Sequence, residues 1–153
     1  MRFTIAVVGA PRDTALAAAI SDYETRAARY WPVHVVEVRE APARGRTVDE
    51  IRGLEAERLR AACGSAAIWV CTEGGTAYDS ASFARWMQGL REAARDVAIC
   101  IGGAFGLDRG LIAAAAGRLA LAPFTVPHEM ARLILGEQLY RAGTLVRGEP
   151  YHK

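Results

Sequence analysis

The sequence predicts an α/β fold: a mainly parallel sheet with helices on both faces. Three observations predict it. Short apolar runs rich in β-branched residues recur along the chain, amphipathic stretches of helical spacing separate them, and glycine-bearing loops follow two of the later runs. Strands covered on both faces read as continuous apolar runs, and parallel neighbours need a helix-sized crossover between them.

Phe3 to Val8 reads as the first buried strand. From Thr14 to Arg29, Leu16, Ile20, Tyr23 and Ala27 recur at helical spacing with charges between them. Trp31-Pro32 ends that helix, because a residue before proline is driven out of helical geometry. Val33 to Val38 is the second strand. Arg39 to Thr47 reads as a basic loop around Pro42 and Gly45; its Arg39, Arg44 and Arg46 suit either phosphate contact or plain solvation. Thr47-x-x-Glu50 is a capping box that opens a helix to about Cys63.

The second half repeats the rhythm. Ala66 to Thr72 is a strand followed by a loop at Glu73-Gly74-Gly75-Thr76. Ser80 to Ala94 is a helix with Phe83, Met87 and Leu90 on one face. Val97 to Ile101 is a strand running into Gly102-Gly103-Ala104-Phe105-Gly106. A short helix over Arg109–Ala116, a strand from Leu119 to Leu121, a loop Ala122–Pro127 and a long helix from His128 to about Ala142 complete the pattern. No linker or repeat divides the sequence, so residues 1–153 are expected to form a single domain.

Composition narrows function only weakly. Of 153 residues, 52% are apolar and 24% charged, which suits an ordinary core, and the net charge of +2 says nothing for or against RNA. The first apolar run is cut short by Gly9 and Pro11, too short for a signal segment or a membrane span. Cys63, Cys71 and Cys100 form no CxxC pair and read as core thiols of a reducing, cytoplasmic compartment. His34, His128 and His152 have no ligand-like neighbour at i+4, so no metal site is expected. There is no P-loop, no dinucleotide fingerprint near Gly9 and no nucleophile elbow. The two glycine loops stay open between tight turns and close backbone approach to a ligand.

Four ordered stretches are more specific: Ile101-Gly-Gly-Ala-Phe-Gly-Leu107; Leu119-Ala-Leu-Ala-Pro-Phe-Thr-Val-Pro-His-Glu-Met-Ala-Arg132; Glu137-Gln-Leu-Tyr-Arg-Ala142; and Gly148-Glu-Pro-Tyr-His-Lys153. Together with the Val7-Val-Gly9 start, they make the chain resemble the RlmH family of SPOUT methyltransferases over its whole length. The resemblance implies an α/β sheet with a C-terminal trefoil knot, a threading no propensity argument predicts. It implies S-adenosylmethionine as cofactor and methylation of N3 of a pseudouridine in 23S ribosomal RNA, on the ribosome or large subunit. It also implies a homodimer in which each tail reaches the partner's pocket, and no membrane partner.

The family's cofactor contacts carry over to Thr72, Gly102 and the run Leu121, Ala122, Pro123, Phe124, Thr125 and Val126. Thr72 stands where the family pattern mostly has an aliphatic residue, ahead of the acidic position matched by Glu73. Loop backbone from Leu121 to Val126 is expected to hold the adenine, stiffened by Pro123 and Pro127, and Gly102 to leave room for the cofactor at the strand end. N3 of the base must lose a proton to attack. His152, Arg132, His128 and Lys153 are candidates to help, since imidazole accepts protons near neutrality and a cation favours the ionised imide. The expected catalytic set is His152 with Tyr151 from the tail, and Arg132. Arg132 and Arg141, nine residues apart, stand about 180° apart around a helix and are not expected to share a target.

Two other readings compete. One is a noncatalytic RNA- or ribosome-binding protein that keeps the fold without transfer. The other is a nucleotide-dependent oxidoreductase, which predicts cofactor binding near Gly9.

Overall fold

A computed structural model describes residues 1–152. Five strands, β1 (Phe3–Val8), β2 (Val33–Val38), β3 (Ala67–Ala77), β4 (Val97–Ile101) and β5 (Gly117–Ala120), form one all-parallel sheet in the order β2-β1-β4-β3-β5. The helices are α1 (Thr14–Ala27), α2 (Val48–Cys63), α3 (Ser80–Glu92), α4 (Arg109–Ala114) and α5 (His128–Arg147). None of these helices is long and apolar enough to cross a membrane.

The unbroken apolar run of β1 follows from its place inside the sheet. Phe3, Ile5 and Val7 face a core with α1, α3 and α5, while Ala6 and Val8 face a second core with α2 and α4; Phe3 to Val8 are all buried. Most helix starts are legible in the sequence. Asp13, Asp79 and Asp108 each accept a backbone N–H of the first turn, at 2.8, 2.6 and 2.8 Å, and Thr47 and Glu50 form the expected reciprocal box.

Two elements differ from the sequence reading. The expected loop at residues 73–76 lies inside β3. Leu119 of β5 pairs with Cys71 and again with Thr76, so residues 72–75 bulge out between them. Gly75 allows this, because a Cβ there would stand 2.6 Å from the Leu119 carbonyl carbon. The last helix runs five residues further than expected, to Arg147. Gly143 does not break it because Tyr30, in the turn after α1, packs into the space a side chain would need. Gly148, at φ +67°, then ends it in the left-handed conformation.

The strand order places the following helices so as to open two clefts. α3 leaves β3 toward one face and α4 leaves β4 toward the other; α1 and α2 diverge in the same way after β1 and β2. Such divergence leaves a crevice beyond the carboxyl ends of the strands.

Candidate functional site

The first crevice is a cleft of about 880 Å³ beyond β3, β4 and β5. The β3 bulge brings Thr72 and Glu73 to its wall, Gly102 to Leu107 form another side, and the segment after β5 closes it. Seven of the eight residues expected to hold a cofactor line it: Thr72, Gly102, Leu121, Ala122, Phe124, Thr125 and Val126; Pro123 does not.

Backbone chemistry suits this cleft to a ligand. Residues 122–126 make no backbone–backbone hydrogen bond among the described residues, so their N–H and C=O groups are open. Leu121 and Val126 anchor the segment against the core. Pro127 caps α5 without a side-chain hydrogen bond, so the amino end of this 20-residue helix also borders the cleft. Ile101, Leu107 and Ile112 supply apolar wall, and burial pushes the Cys71 thiol up to about 12.

Gly102 also has a role within the fold. A Cβ on Gly102 would meet the carbonyl carbon of Gly106 at 2.8 Å and the backbone of Leu107 at 3.0 Å. Its missing side chain makes room for the returning turn, while Gly102 itself lines the cleft. That turn is closed by Gly106 N–H donating to the Gly103 carbonyl at 3.0 Å, with Gly106 at φ +81°.

Arg132 lies on α5 beside cleft-lining Ala131 and His128, but its guanidinium points into the protein. It is 6% exposed and donates to Glu24 of α1 through Nε (2.7 Å) and Nη2 (3.1 Å), and to Glu37 of β2 through Nη1 (2.6 Å). Burial alone lowers the affinity of a guanidinium for its proton; the bonds to Glu24 and Glu37 reverse this and leave Arg132 raised. Its donors are spent in binding α5 to α1 and β2, which corrects the expectation of a free catalytic cation.

Tyr151 and His152 fold back on their own helix. The Tyr151 ring meets Tyr140 edge-on at 4.6 Å, its hydroxyl donates to Glu137 at 3.1 Å, and it lies 3.4 Å from the Tyr23 hydroxyl. Burial, then the bonds to Tyr23 and Glu137, raise the Tyr151 phenol, so it stays protonated and acts as a donor rather than a base. Arg141 lies over the Tyr151 ring and donates to Glu137 from Nε at 3.0 Å. Its Nη1 is 3.2 Å from Nδ1 of His152. A guanidinium only donates, so in this contact Nδ1 of His152 is the acceptor and Nε2 carries the ring N–H. As expected, Arg141 and Arg132 serve different partners.

This tail cluster sits at Glu137, nine residues or roughly 13 Å along α5 from cleft-lining His128. The monomer thus keeps the two halves of the expected site apart. Lys153 lies outside the described residues. Sequence reading missed Glu137, Tyr23 and Tyr140 as tail partners, although the Glu137–Arg141 spacing of i,i+4 was a visible signal. Among the described residues no group of three His, Cys, Asp or Glu is placed to hold a metal ion.

A family model described as "Predicted SPOUT methyltransferase" matches residues 1–152. The chain is 55% identical, over all of both sequences, to a protein of Gemmatimonas aurantiaca named Ribosomal RNA large subunit methyltransferase H. It is 42% identical, again over all of both, to a protein of the same name from an Anaeromyxobacter species (strain Fw109-5). Among solved structures it is similar to a probable methylase family protein from Haemophilus influenzae Rd KW20, with a TM-score of 0.58 and 12% identity, covering 99% of this chain and 70% of that one. At that identity the likeness is one of fold alone.

Proposed function

This chain belongs to the SPOUT methyltransferase family, and from that membership we propose that it methylates a base of large-subunit ribosomal RNA, namely N3 of a pseudouridine, using S-adenosylmethionine. The observation that carries the reading is the first cleft, where the bulge of β3, the glycine turn after β4 and the open backbone of residues 122–126 converge.

The residues present fit the donor. Unpaired N–H and C=O groups of residues 122–126 suit the edge of an adenine, apolar walls suit its faces, and the uncapped amino end of α5 suits a carboxylate. When bound, S-adenosylmethionine supplies a methyl group on a positively charged sulfur. The chain's own contribution is placement, which is worth roughly 7–11 kcal/mol when reacting atoms are well aligned.

For a methyl group to pass from the bound donor, the acceptor nitrogen would have to release its proton to solvent. A cation near the imide favours that ionisation. Arg141, held by Glu137 and bracketed by Tyr151 and His152, is the cation we assign to this task, with Tyr151 and the Nε2–H of His152 as base-positioning donors. Since each tail lies far from its own cleft, this assignment requires a homodimer in which the tail of one protomer completes the cleft of the other. The C-terminal knot belongs to the same reading, as does a cytoplasmic location on ribosomes or large subunits.

The test is transfer of labelled methyl to ribosomes from cells lacking this activity, followed by mapping of the modified nucleotide. Label at a pseudouridine N3 is the expected result. Donor binding without any transfer would favour the noncatalytic ribosome-binding alternative. In the same assay, His152→Ala is expected to reduce turnover at unchanged donor affinity; full activity would remove His152 from the mechanism.

A further inference from the structure

The second cleft, of about 930 Å³, lies beyond the carboxyl ends of β1 and β2 and shares Ala104, Phe105 and His128 with the first. Its wall carries three carboxylates. Glu37 is taken by Arg132 (2.6 Å) and Glu40 by Arg12 (2.5 Å). Glu55 of α2 is different. It is only 4% exposed; Oε1 accepts the Ala41 N–H at 3.0 Å, and Oε2 has no hydrogen-bond partner among the described residues. Buried carboxylate oxygens are ordinarily satisfied, because desolvating one without a donor is costly. This oxygen stands 3.3 Å from where a Cβ on Gly103 would be, at the partition between the two clefts.

We propose that the second cleft holds the RNA base that receives the methyl group, and that Glu55 is a specificity-determining residue whose free oxygen accepts a ring N–H of that base. The inference rests on the methyltransferase reading and deepens it. A methyl acceptor must lie next to the donor, and this is the cleft that shares a wall with the donor cleft. With Glu37 and Glu40 already paired to arginines, the acceptor left without a partner in this wall is Glu55 Oε2, which suits a neutral, donor-bearing heterocycle rather than a phosphate. Pseudouridine has two ring N–H groups, so it keeps N1–H when N3 is methylated. Uridine has its N1 in the glycosidic bond and offers no such donor. The Gly103–Gly106 turn lies beside Oε2, and its Phe105 carbonyl accepts from Arg52 Nε at 2.7 Å.

The test uses the full chain and two ribosome preparations, with pseudouridine or unmodified uridine at the target position. Glu55→Gln keeps an oxygen for the Ala41 N–H and places an NH2 donor where the free oxygen was. The expected result is at least a tenfold fall in kcat/KM on pseudouridine ribosomes, as for loss of a buried hydrogen bond. The preference for pseudouridine over uridine should shrink toward one, with donor Kd and thermal midpoint unchanged. Equal losses on both substrates, or wild-type kinetics, would overturn the inference. Should Glu55→Gln fail to fold, Ala43→Trp on the exposed rim of the second cleft serves instead: transfer should fall with donor binding intact, and full transfer would reject the site. Absence of transfer by the unmutated protein to either preparation would sink the methyltransferase reading itself, a distinct outcome.

Discussion

Arg132 and Glu24 face each other fork to fork, Nε to Oε1 at 2.7 Å and Nη2 to Oε2 at 3.1 Å, joining α5 to α1 in a largely buried pair. The third donor, Nη1, reaches Glu37 at the carboxyl-terminal part of β2. One side chain thus sets where the last helix lies against the sheet, and so where its uncapped amino end meets the first cleft.

Removing the arginine should therefore be felt first as stability. Arg132→Ala leaves Glu24 unpaired beside the core, a loss of about 3–5 kcal/mol on the usual scale for breaking a buried pair. Urea unfolding should show it. The double variant Arg132→Met with Glu24→Leu should recover most of the loss, since apolar replacement of a buried pair is often neutral. A single variant of unchanged stability but no turnover would restore Arg132 as a catalytic residue.

Gly143 tests how α5 packs against the turn that follows α1. Alanine gains about 1 kcal/mol over glycine in a helix interior. Here its Cβ would come within 2.5 Å of Tyr30 Cβ, and overpacking of this kind costs about 1–3 kcal/mol. Gly143→Ala is expected to lower the thermal midpoint despite its better helix propensity, and a raised midpoint would show that Tyr30 moves freely.

Phe124 reports on assembly. It lines the first cleft yet is 67% exposed in the monomer. In the proposed homodimer the partner's tail covers this region, so Phe124→Asp should shift sedimentation toward the monomer and abolish turnover together. A monomeric variant with full turnover would break the link between the two protomers' halves of the site.

Cys71 gives a pH dependence with a definite sign. Its folded value, about 12, lies above the ordinary 9.0. The folded chain therefore holds this proton more tightly than the unfolded chain. The stabilisation is complete below pH 9 and is lost as pH rises from there toward 12, with a slope of up to about 1.4 kcal/mol per pH unit for one proton. Cys71→Ala should flatten that part of the alkaline stability curve; an identical curve would show that the thiol is not withdrawn from water.

Much of the fold was legible because local chemistry dictates it. The run FTIAVV reads as a strand covered on both sides, Thr47 with Glu50 marks a helix start, and the alternation of the two periods implies a parallel sheet. The cofactor segment was legible only through resemblance, since nothing in Leu121 to Val126 taken alone distinguishes a ligand cradle from an ordinary loop. Gly75 and Gly143 were unreadable for another reason: what they make room for, Leu119 and Tyr30, lies 44 and 113 residues away in the chain.

The sequence by itself determined the order of strands and helices, most of their ends and the family. Tertiary structure alone decided which polar groups are free. Arg132 and Glu55 are both charged residues on amphipathic helices, yet one has all three guanidinium nitrogens bonded to carboxylates and the other keeps an oxygen without a partner. The reason is that hydrogen-bond satisfaction depends on atoms brought together from distant elements within about 3 Å, a distance no pattern along a single helix encodes.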